Sequence, residues 1–410
     1  MSHLMSQSIN LYNQLAKNKL FSKSVNFDLK RIKLILQKLN HPEKKLKNVI
    51  NIIGSDGKYS LLTSLKYFIE ANNQKTSAYI SPSLKNIRER FWMGNNFLSY
   101  QEIKKSMKVI EKQKINLTIF EVLTVIFILN AAKKNNDYNL IEAGALFAKD
   151  STNLFDFPKI QAIVNINKQH LNFLKKKTLN EVIYQKVGFL SNFTNIYIGK
   201  QKPLVLKKIH QHLKRNHSVV KYPNTWKLIQ SKGKFYYKDK KRKIILNTKY
   251  IHSKGLLENL CFAIKIALDL KINKKTIEKT IPNIKFEARI EYIQKGKLIK
   301  KIYKNEKFLL DGCHSEVSAK NLANYLKTLK VPIFGIWSMT KNKNPDNFIK
   351  QFKGIFKKIV TIPIENESAS LSNKILLKIA RKNDYKAEKA NNFESALKKL
   401  TSKEKKIICI

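Results

Sequence analysis

Apolar residues along this chain fall into two recurring patterns. Short runs of five to seven positions at 48–53, 76–80, 138–143, 160–166 and 194–199 are rich in apolar residues. Runs of that kind read as strands buried on both faces. Between them, at 61–72, 101–112, 119–134 and 178–190, lie helical patterns of apolar residues. Strand and helix in alternation predict a mostly parallel sheet covered by helices. Residues 218–247 break the pattern with short β-type runs separated by Lys-Gly-Lys and Asp-Lys-Lys, which predicts a meander of hairpins; a helix over 256–270 follows. Polar and charged residues replace the apolar pattern near Pro282–Lys300, the expected boundary between two domains. A second α/β unit then follows, with strands at 307–311, 331–337, 357–363 and 405–410 and helices at 316–329, 345–355, 371–381 and 392–401. No internal repeat or low-complexity linker interrupts the chain.

Length and composition fit this reading. A chain of 410 residues with 43% apolar residues has the material for two domains with cores of their own. It has no apolar run long enough for a membrane span. MSHLMSQSINLYNQLAKNKL at the start lacks the apolar stretch of a secretory leader. Cys261, Cys313 and Cys409 are scattered and odd in number, with neither a disulfide framework nor zinc-ligand spacing. A cytoplasmic protein is the expectation.

The formal net charge of +51 raises nucleic-acid binding as a function. Of 80 basic residues, however, 73 are lysine and only 7 arginine, and the lysines are spread along the whole chain among isoleucine and asparagine. These three residue types share A/T-rich codons, so coding bias accounts for the charge without a partner. No arginine-rich helix, zinc-finger spacing or aromatic RNA-binding motif accompanies it. The field can still attract anionic small molecules. Within this lysine-rich composition, Arg88, Arg90 and Arg289 stand out, because a planar guanidinium fits phosphate or carboxylate as lysine does not.

The sharpest local feature is Val49-Ile50-Asn51-Ile52-Ile53-Gly54-Ser55-Asp56-Gly57-Lys58-Tyr59-Ser60, with a helical pattern after it. Strand, glycine turn and helix aim backbone N–H groups and a helix N-terminus at phosphate. The match to G-x-x-x-x-G-K-[ST] is imperfect: the first glycine is missing and the hydroxyl comes one residue late. An ordinary strand-to-helix turn would need a glycine too.

GSDGKYS resembles the GTNGKGS loop of the folylpolyglutamate synthase/dihydrofolate synthase family, relatives of the Mur ligases, and the resemblance continues in order along nearly the whole chain. Phe27 to Ile32 with His41-Pro42 resembles the family's N-terminal helix. Tyr79-Ile80-Ser81-Pro82-Ser83-Leu84 with Glu89-Arg90 resembles TSPHL…ER, and Thr118 to Thr124 resembles TxFExxT. Glu142-Ala143-Gly144 and Asp150-Ser151-Thr152-Asn153 resemble EVGLGGRLDATN. Gln169-His170 and Leu174, then Gln185-Lys186-Val187-Gly188, resemble DHxxxLG…EKAG. Asn259 falls in HQxxNAxxA, Arg289 in GRxE, Asp311 to Ser315 in DxAHN, and Ser338-Met339 with Lys343-Asn344-Pro345 in GMxxxKDP.

The resemblance implies a large N-terminal P-loop ATPase-type α/β domain over 1–285 that binds ATP and folate. It also implies a smaller Rossmann-like, glutamate ligase-like domain over 286–410, stopping at Cys409-Ile410 where relatives continue with a GS turn and a final helix. The implied reaction joins L-glutamate to dihydropteroate or to the γ-carboxyl of a reduced folate, with ATP, Mg²⁺ and, as a further candidate, a monovalent cation, in a monomer with no specific nucleic-acid or membrane partner. In these roles Gly54, Ser55, Asp56, Gly57, Lys58, Tyr59 and Ser60 hold phosphates, with Lys58 on the β/γ oxygens. Ser81, Glu142 and His170 ligate Mg²⁺. Lys186 is the lysine that the family carbamylates. Asn259 reads adenine, Arg289 the γ-phosphate and Asp311 the ribose, while His314 serves the acyl phosphate and Lys343 the domain cleft.

Several motif positions depart from the family. Tyr59 replaces a glycine, where a positive φ would cost about 1–2 kcal/mol and the phenol would crowd phosphate. Asp56 replaces an asparagine, Ser83 a histidine, and Gln169, Gln185 and Asn344 replace acids. Leu146, Phe147 and Ala148 stand for Gly-Gly-Arg, and Ser315 for an asparagine. A working ligase and a paralogue that has lost turnover both fit these departures.

Overall fold

The computed structural model describes residues 11, 13–22, 26–297, 299–365 and 367–410. Two compact units emerge, one of residues 1–247 and 258–284, the other of 248–257 and 285–410. No helix among the described residues is long and apolar enough to cross a membrane.

In the first unit, β1 (Phe21–Ser22) forms a short parallel pair with β5 (Leu117–Thr118). The main sheet has seven strands: β2 (Val49–Ile53), β3 (Thr76–Tyr79), β4 (Phe91–Met93), β6 (Tyr138–Glu142), β7 (Ile160–Ile163), β8 (Asn195–Ile198) and β9 (Val219–Lys221). Their order is β4-β3-β6-β2-β7-β8-β9, all parallel except the antiparallel edge strand β4. β2 sits at the centre with every residue buried, as an apolar run covered on both faces requires. The crossover helix Ile119–Lys134 is apolar all round and is started by a capping box between Thr118 and Glu121. Its Phe127 stacks on Tyr79 at 5.3 Å, within a core that also holds Phe91 and Ile103. The meander expected over 218–247 is an antiparallel sheet of β10 (Trp226–Ser231), β11 (Lys234–Asp239) and β12 (Lys243–Ile245).

The second unit holds a six-stranded sheet of β13 (Glu291–Ile293), β14 (Glu306–Leu310), β15 (Ile333–Trp337), β16 (Phe356–Thr361), β17 (Ala387–Lys389) and β18 (Lys406–Cys409), in the order β13-β14-β18-β15-β16-β17. Only β13 runs antiparallel. Helices Glu316–Leu326, Pro345–Lys350, Asn373–Lys382 and Phe393–Lys398 connect the strands. β18 docks between β14 and β15, and its first residue, Lys406, is buried beside its register partner Glu306 at 3.7 Å.

The α/β class, the mostly parallel sheets and the meander agree with the sequence pattern. The edge strands β4, β9, β13 and β17 and the polar helix Lys274–Thr280 do not announce themselves there. Each strand is only three residues long, too short to stand out as a run, and β9, β13 and β17 are mostly only half covered. The helix expected over 345–355 ends at Lys350, and turns carry the chain on to β16.

Candidate active site

The helix after β2 starts at Lys58, three residues earlier than the apolar period indicates. Its N-cap is Gly57, at φ 97°, and Gly54 adopts φ 146°. Both turns need glycine for two reasons. An L side chain is strained at these angles, and a Cβ would strike Val164 at position 54 and Asn259 at position 57. Lys58, Tyr59 and Ser60 therefore form the first helical turn, and Tyr59 has ordinary helical backbone. The positive φ considered for Tyr59 is absent, and with it the strain. Asn259 Nδ2 donates to Ser60 Oγ at 2.9 Å, placing it against this first turn.

Buried charge surrounds the loop. Lys58 Nζ donates to the carbonyls of Gly54 and Ser55 at 3.3 and 3.2 Å and lies 3.8 Å from Glu142 Oε1. Glu142 ends β6, beside β2 at the carboxyl end of the sheet, where open α/β sheets bind ligands. Its other oxygen accepts the Ser81 N–H at 3.3 Å, so a carboxylate and a hydroxyl residue from neighbouring strand ends share one place. Lys186 is 1% exposed, and its Nζ donates to the carbonyls of Gly54 and Ala145, both at 2.8 Å. Burial, reinforced by the Lys58 charge, pushes the Lys186 amine down to about 7, against the opposing pull of Asp150 and Asp56. Asp150, also buried, accepts from the Thr152 N–H at 2.9 Å and from its hydroxyl; burial raises its carboxyl above the ordinary range.

The segment after β7 closes the other side. The Asn165 carbonyl accepts the N–H groups of Ser55 and Asp56 at 2.8 and 3.4 Å. Ser55 Oγ donates to the Asn167 carbonyl at 3.2 Å and accepts its N–H at 3.1 Å. Gln169 Nε2 donates to both oxygens of Asp56, at 3.1 and 3.0 Å. His170 follows directly, in left-handed backbone at φ 57°, stacked on Phe173 at 6.2 Å.

In the second unit, Arg289 lies between Ala288 (φ 50°) and Ile290 (φ 51°), a conformation that a β-branched residue adopts only under constraint. Asp311 supplies part of that constraint. Its carboxylate accepts the N–H groups of Ile290 and Cys313, both at 2.8 Å. Burial raises the Asp311 carboxyl and Arg289 opposes the rise. Arg289 Nη1 donates to the Ala288 carbonyl at 2.8 Å and passes so close to Gly312 that a Cβ there would sit 2.8 Å from it. His314 is exposed, with Nδ1 3.0 Å from the Gly312 carbonyl. Lys343 lies in the turn before helix Pro345–Lys350, its N–H on the Thr340 carbonyl at 3.2 Å.

No protein-family model matches the chain. It is 23% identical over 362 residues to the dihydrofolate synthase/folylpolyglutamate synthase of Bacillus subtilis, covering 84% of this chain and 83% of the relative. Its fold matches that of Mycobacterium tuberculosis folylpolyglutamate synthase complexed with ADP, with a TM-score of 0.85 at 17% identity over 99% of this chain and 95% of the other. E. coli FolC in complex with DHPP and ADP also matches at a TM-score of 0.85, with 18% identity over 97% and 94% of the two chains. Over most of its length the chain is thus similar, at low identity, to proteins named folylpolyglutamate synthase or dihydrofolate synthase, and it shares their fold.

Against the family motifs, the structure explains several departures. Leu146, Phe147 and Ala148, in place of Gly-Gly-Arg, are buried, and the first two pack with Ile53, Val182 and Val187. Arg88 turns out to brace a loop, donating to the Leu98 carbonyl and lying 5.6 Å from the Tyr100 ring. Asn165, Asn167, Ala145 and Asp150 hold the loop or the buried amine, yet the sequence reading gave none of them a role. The two asparagines, directly after the apolar run of β7, were the available signal; a main-chain carbonyl such as that of Ala145 leaves none.

Proposed function

We propose that this protein is an ATP-dependent carbon–nitrogen ligase that adds L-glutamate to dihydropteroate, to the γ-carboxyl of reduced folates, or to both, through an acyl phosphate. The observation that carries the reading is the Gly54–Ser60 turn at the carboxyl end of a parallel sheet, with Lys58, Glu142 and Lys186 gathered on it. A carboxylate is a poor electrophile, so it must first take the γ-phosphoryl group of ATP; the amine of glutamate then displaces phosphate. Catalysis consists of aligning two anions, neutralising their charge and keeping water from the acyl phosphate. The N–H groups of the first helical turn and Lys58 serve the phosphates. To release Lys58 toward phosphate, its bonds to the Gly54 and Ser55 carbonyls must break.

The buried Glu142 carboxylate, which accepts the Ser81 N–H, suits Mg²⁺, and His170 follows Gln169, which bonds the loop. Ser81, Glu142 and His170 would hold the ion, which lends positive charge to the transferring phosphoryl group when bound. Lys186 suits carbamylation: its two carbonyl partners take the two hydrogens of a neutral amine and leave the lone pair for CO₂, with one proton released as the N–C bond forms. For the second unit we propose the γ-phosphate for Arg289, the ribose for Asp311 and the acyl phosphate for His314. We assign 1–285 to ATP and folate and 286–410 to glutamate ligation, in a cytoplasmic monomer.

The test is phosphate release by purified protein with Mg²⁺–ATP, L-glutamate, and dihydropteroate or tetrahydrofolate in turn. Release that needs all three substrates supports the ligase. Tight nucleotide or folate binding with no release under any combination favours the paralogue without turnover.

A further inference from the structure

Two of the departures meet in space. Position 56 carries an acid where the family motif has asparagine, and position 169 an amide where it has an acid. These two side chains touch: Gln169 Nε2 donates to Asp56 Oδ1 and Oδ2 at 3.1 and 3.0 Å. We infer that Asp56 and Gln169 are an exchanged pair, in which acid and amide have traded places across one contact, so that a single carboxylate still braces the phosphate loop against the segment bearing His170. Asp56 is then a positioning residue, and this role rests on the ligase reading above.

The chemistry of the contact permits the exchange. A carboxylate only accepts hydrogen bonds, while an amide can donate, so one acid and one amide make this contact in either order. Two acids in contact repel and force one of them to take up a proton. Two amides keep the contact but lose the charge. The retained charge has neighbours that use it. Asn167 Nδ2 donates to the same carboxylate, and the field of Asp56 acts on the buried amine of Lys186. The backbone of Asp56 is also pinned, through its N–H on the Asn165 carbonyl. Two changes that look like separate losses in the sequence thus leave the number of carboxylates at the loop unchanged.

The inference is tested with Asp56→Asn, Gln169→Asp and the double variant in the full chain, measuring Mg²⁺–ATP affinity by calorimetry, KM and kcat for ATP, and the thermal unfolding midpoint. Gln169→Asp introduced into the wild-type chain is expected to weaken Mg²⁺–ATP binding at least tenfold, because it sets two acids in contact beside bound phosphate. Introduced into the Asp56→Asn variant, the same change should weaken binding less than threefold, and the loss should fall on KM for ATP more than on kcat. A tenfold or greater loss from Gln169→Asp in both backgrounds overturns the inference. If the wild-type chain does not bind Mg²⁺–ATP at millimolar concentration, the ligase reading falls. The pair is then judged on unfolding alone: recovery of the midpoint in the double variant supports it, and additive losses overturn it.

Discussion

Replacing Lys186 with methionine separates the chemistry of this residue from its stability. Methionine matches the length of the lysine stem and removes the amine from a site that is 1% exposed. The amine falls from 10.5 in the unfolded chain to about 7 in the fold. At 1.36 kcal/mol per pH unit, that difference means burying the ammonium costs about 5 kcal/mol wherever both states are protonated. Two hydrogen bonds, to the carbonyls of Gly54 and Ala145, return about 1 kcal/mol each, and leaving those carbonyls without a donor costs about as much again. Below pH 7 the methionine variant should therefore be at least as stable as the wild type. The sign above pH 7 follows from proton counting. Between about 7 and 10.5 the unfolded chain binds a proton there that the folded chain does not, so wild-type stability rises with pH. From pH 7 to 9.5 the balance should swing toward the wild type by about 3 kcal/mol. Urea unfolding of both proteins in CO₂-free buffer at pH 6, 7.5, 8.5 and 9.5 reads this difference. A stability difference that does not change with pH, or one that favours the wild type more in acid, would mean that burial does not depress the Lys186 amine. The same variant should lose ligation at every pH, and a carbamate signal from ¹³C-bicarbonate present in the wild type should be missing.

Lys58→Ala should lower turnover at least a hundredfold, on the order of 3 kcal/mol of transition-state stabilisation, in a phosphate-release assay. Because Tyr59 sits in ordinary helical backbone, Tyr59→Gly should change ATP affinity less than roughly tenfold by calorimetry and destabilise the chain by roughly 0.5–1 kcal/mol, as glycine does inside a helix. Asp311→Asn leaves an NH₂ group facing one of the two N–H donors that the carboxylate now satisfies; the second unit should lose about 2 kcal/mol in urea unfolding and KM for ATP should rise. Duplex DNA should bind weakly, without sequence preference, and release steeply with salt in a fluorescence titration, since dispersed lysines act as point charges.

Fold and site were not equally legible in the sequence. β2, β6 and β7 are visible because strands buried on both faces are rich in apolar residues, and the Gly54–Ser60 turn is visible because glycines are few in this chain and two stand in it. The helix start at Lys58 is hidden, since its first turn is polar and faces the loop, so the apolar period begins only later. The strain at Ala288 and Ile290 is hidden for another reason: nothing about an alanine or an isoleucine marks a positive φ, and the constraint comes from Asp311, some twenty positions on. The burial of Lys186 could not be read from one more lysine among 73. Its motif carried the reading, and the two carbonyls that hold it give the motif a physical content.

The departures also look different once they are placed in the fold. Counted along the sequence, each weakens the case for turnover. Sorted by contact, most fall into kinds that leave the charged cluster intact. Asp56 and Gln169 trade an acid for an amide across one contact. Leu146, Phe147 and Ala148 are buried, and the first two join the core that holds Ile53, Val182 and Val187. Tyr59 occupies a helical position that any residue can adopt. Gln185 keeps its main-chain role, its carbonyl accepting the Ala148 N–H at 2.8 Å whatever its side chain. Drift without function would have no reason to spare Lys58, Glu142, Lys186 and Asp150 while it altered their surroundings in compensated ways. A buried lysine held by two carbonyls, in the field of the buried Asp150 and the half-buried Asp56, is also a costly arrangement for stability. Its persistence is better explained by the use of the amine than by the fold, which an apolar residue at that position would serve as well.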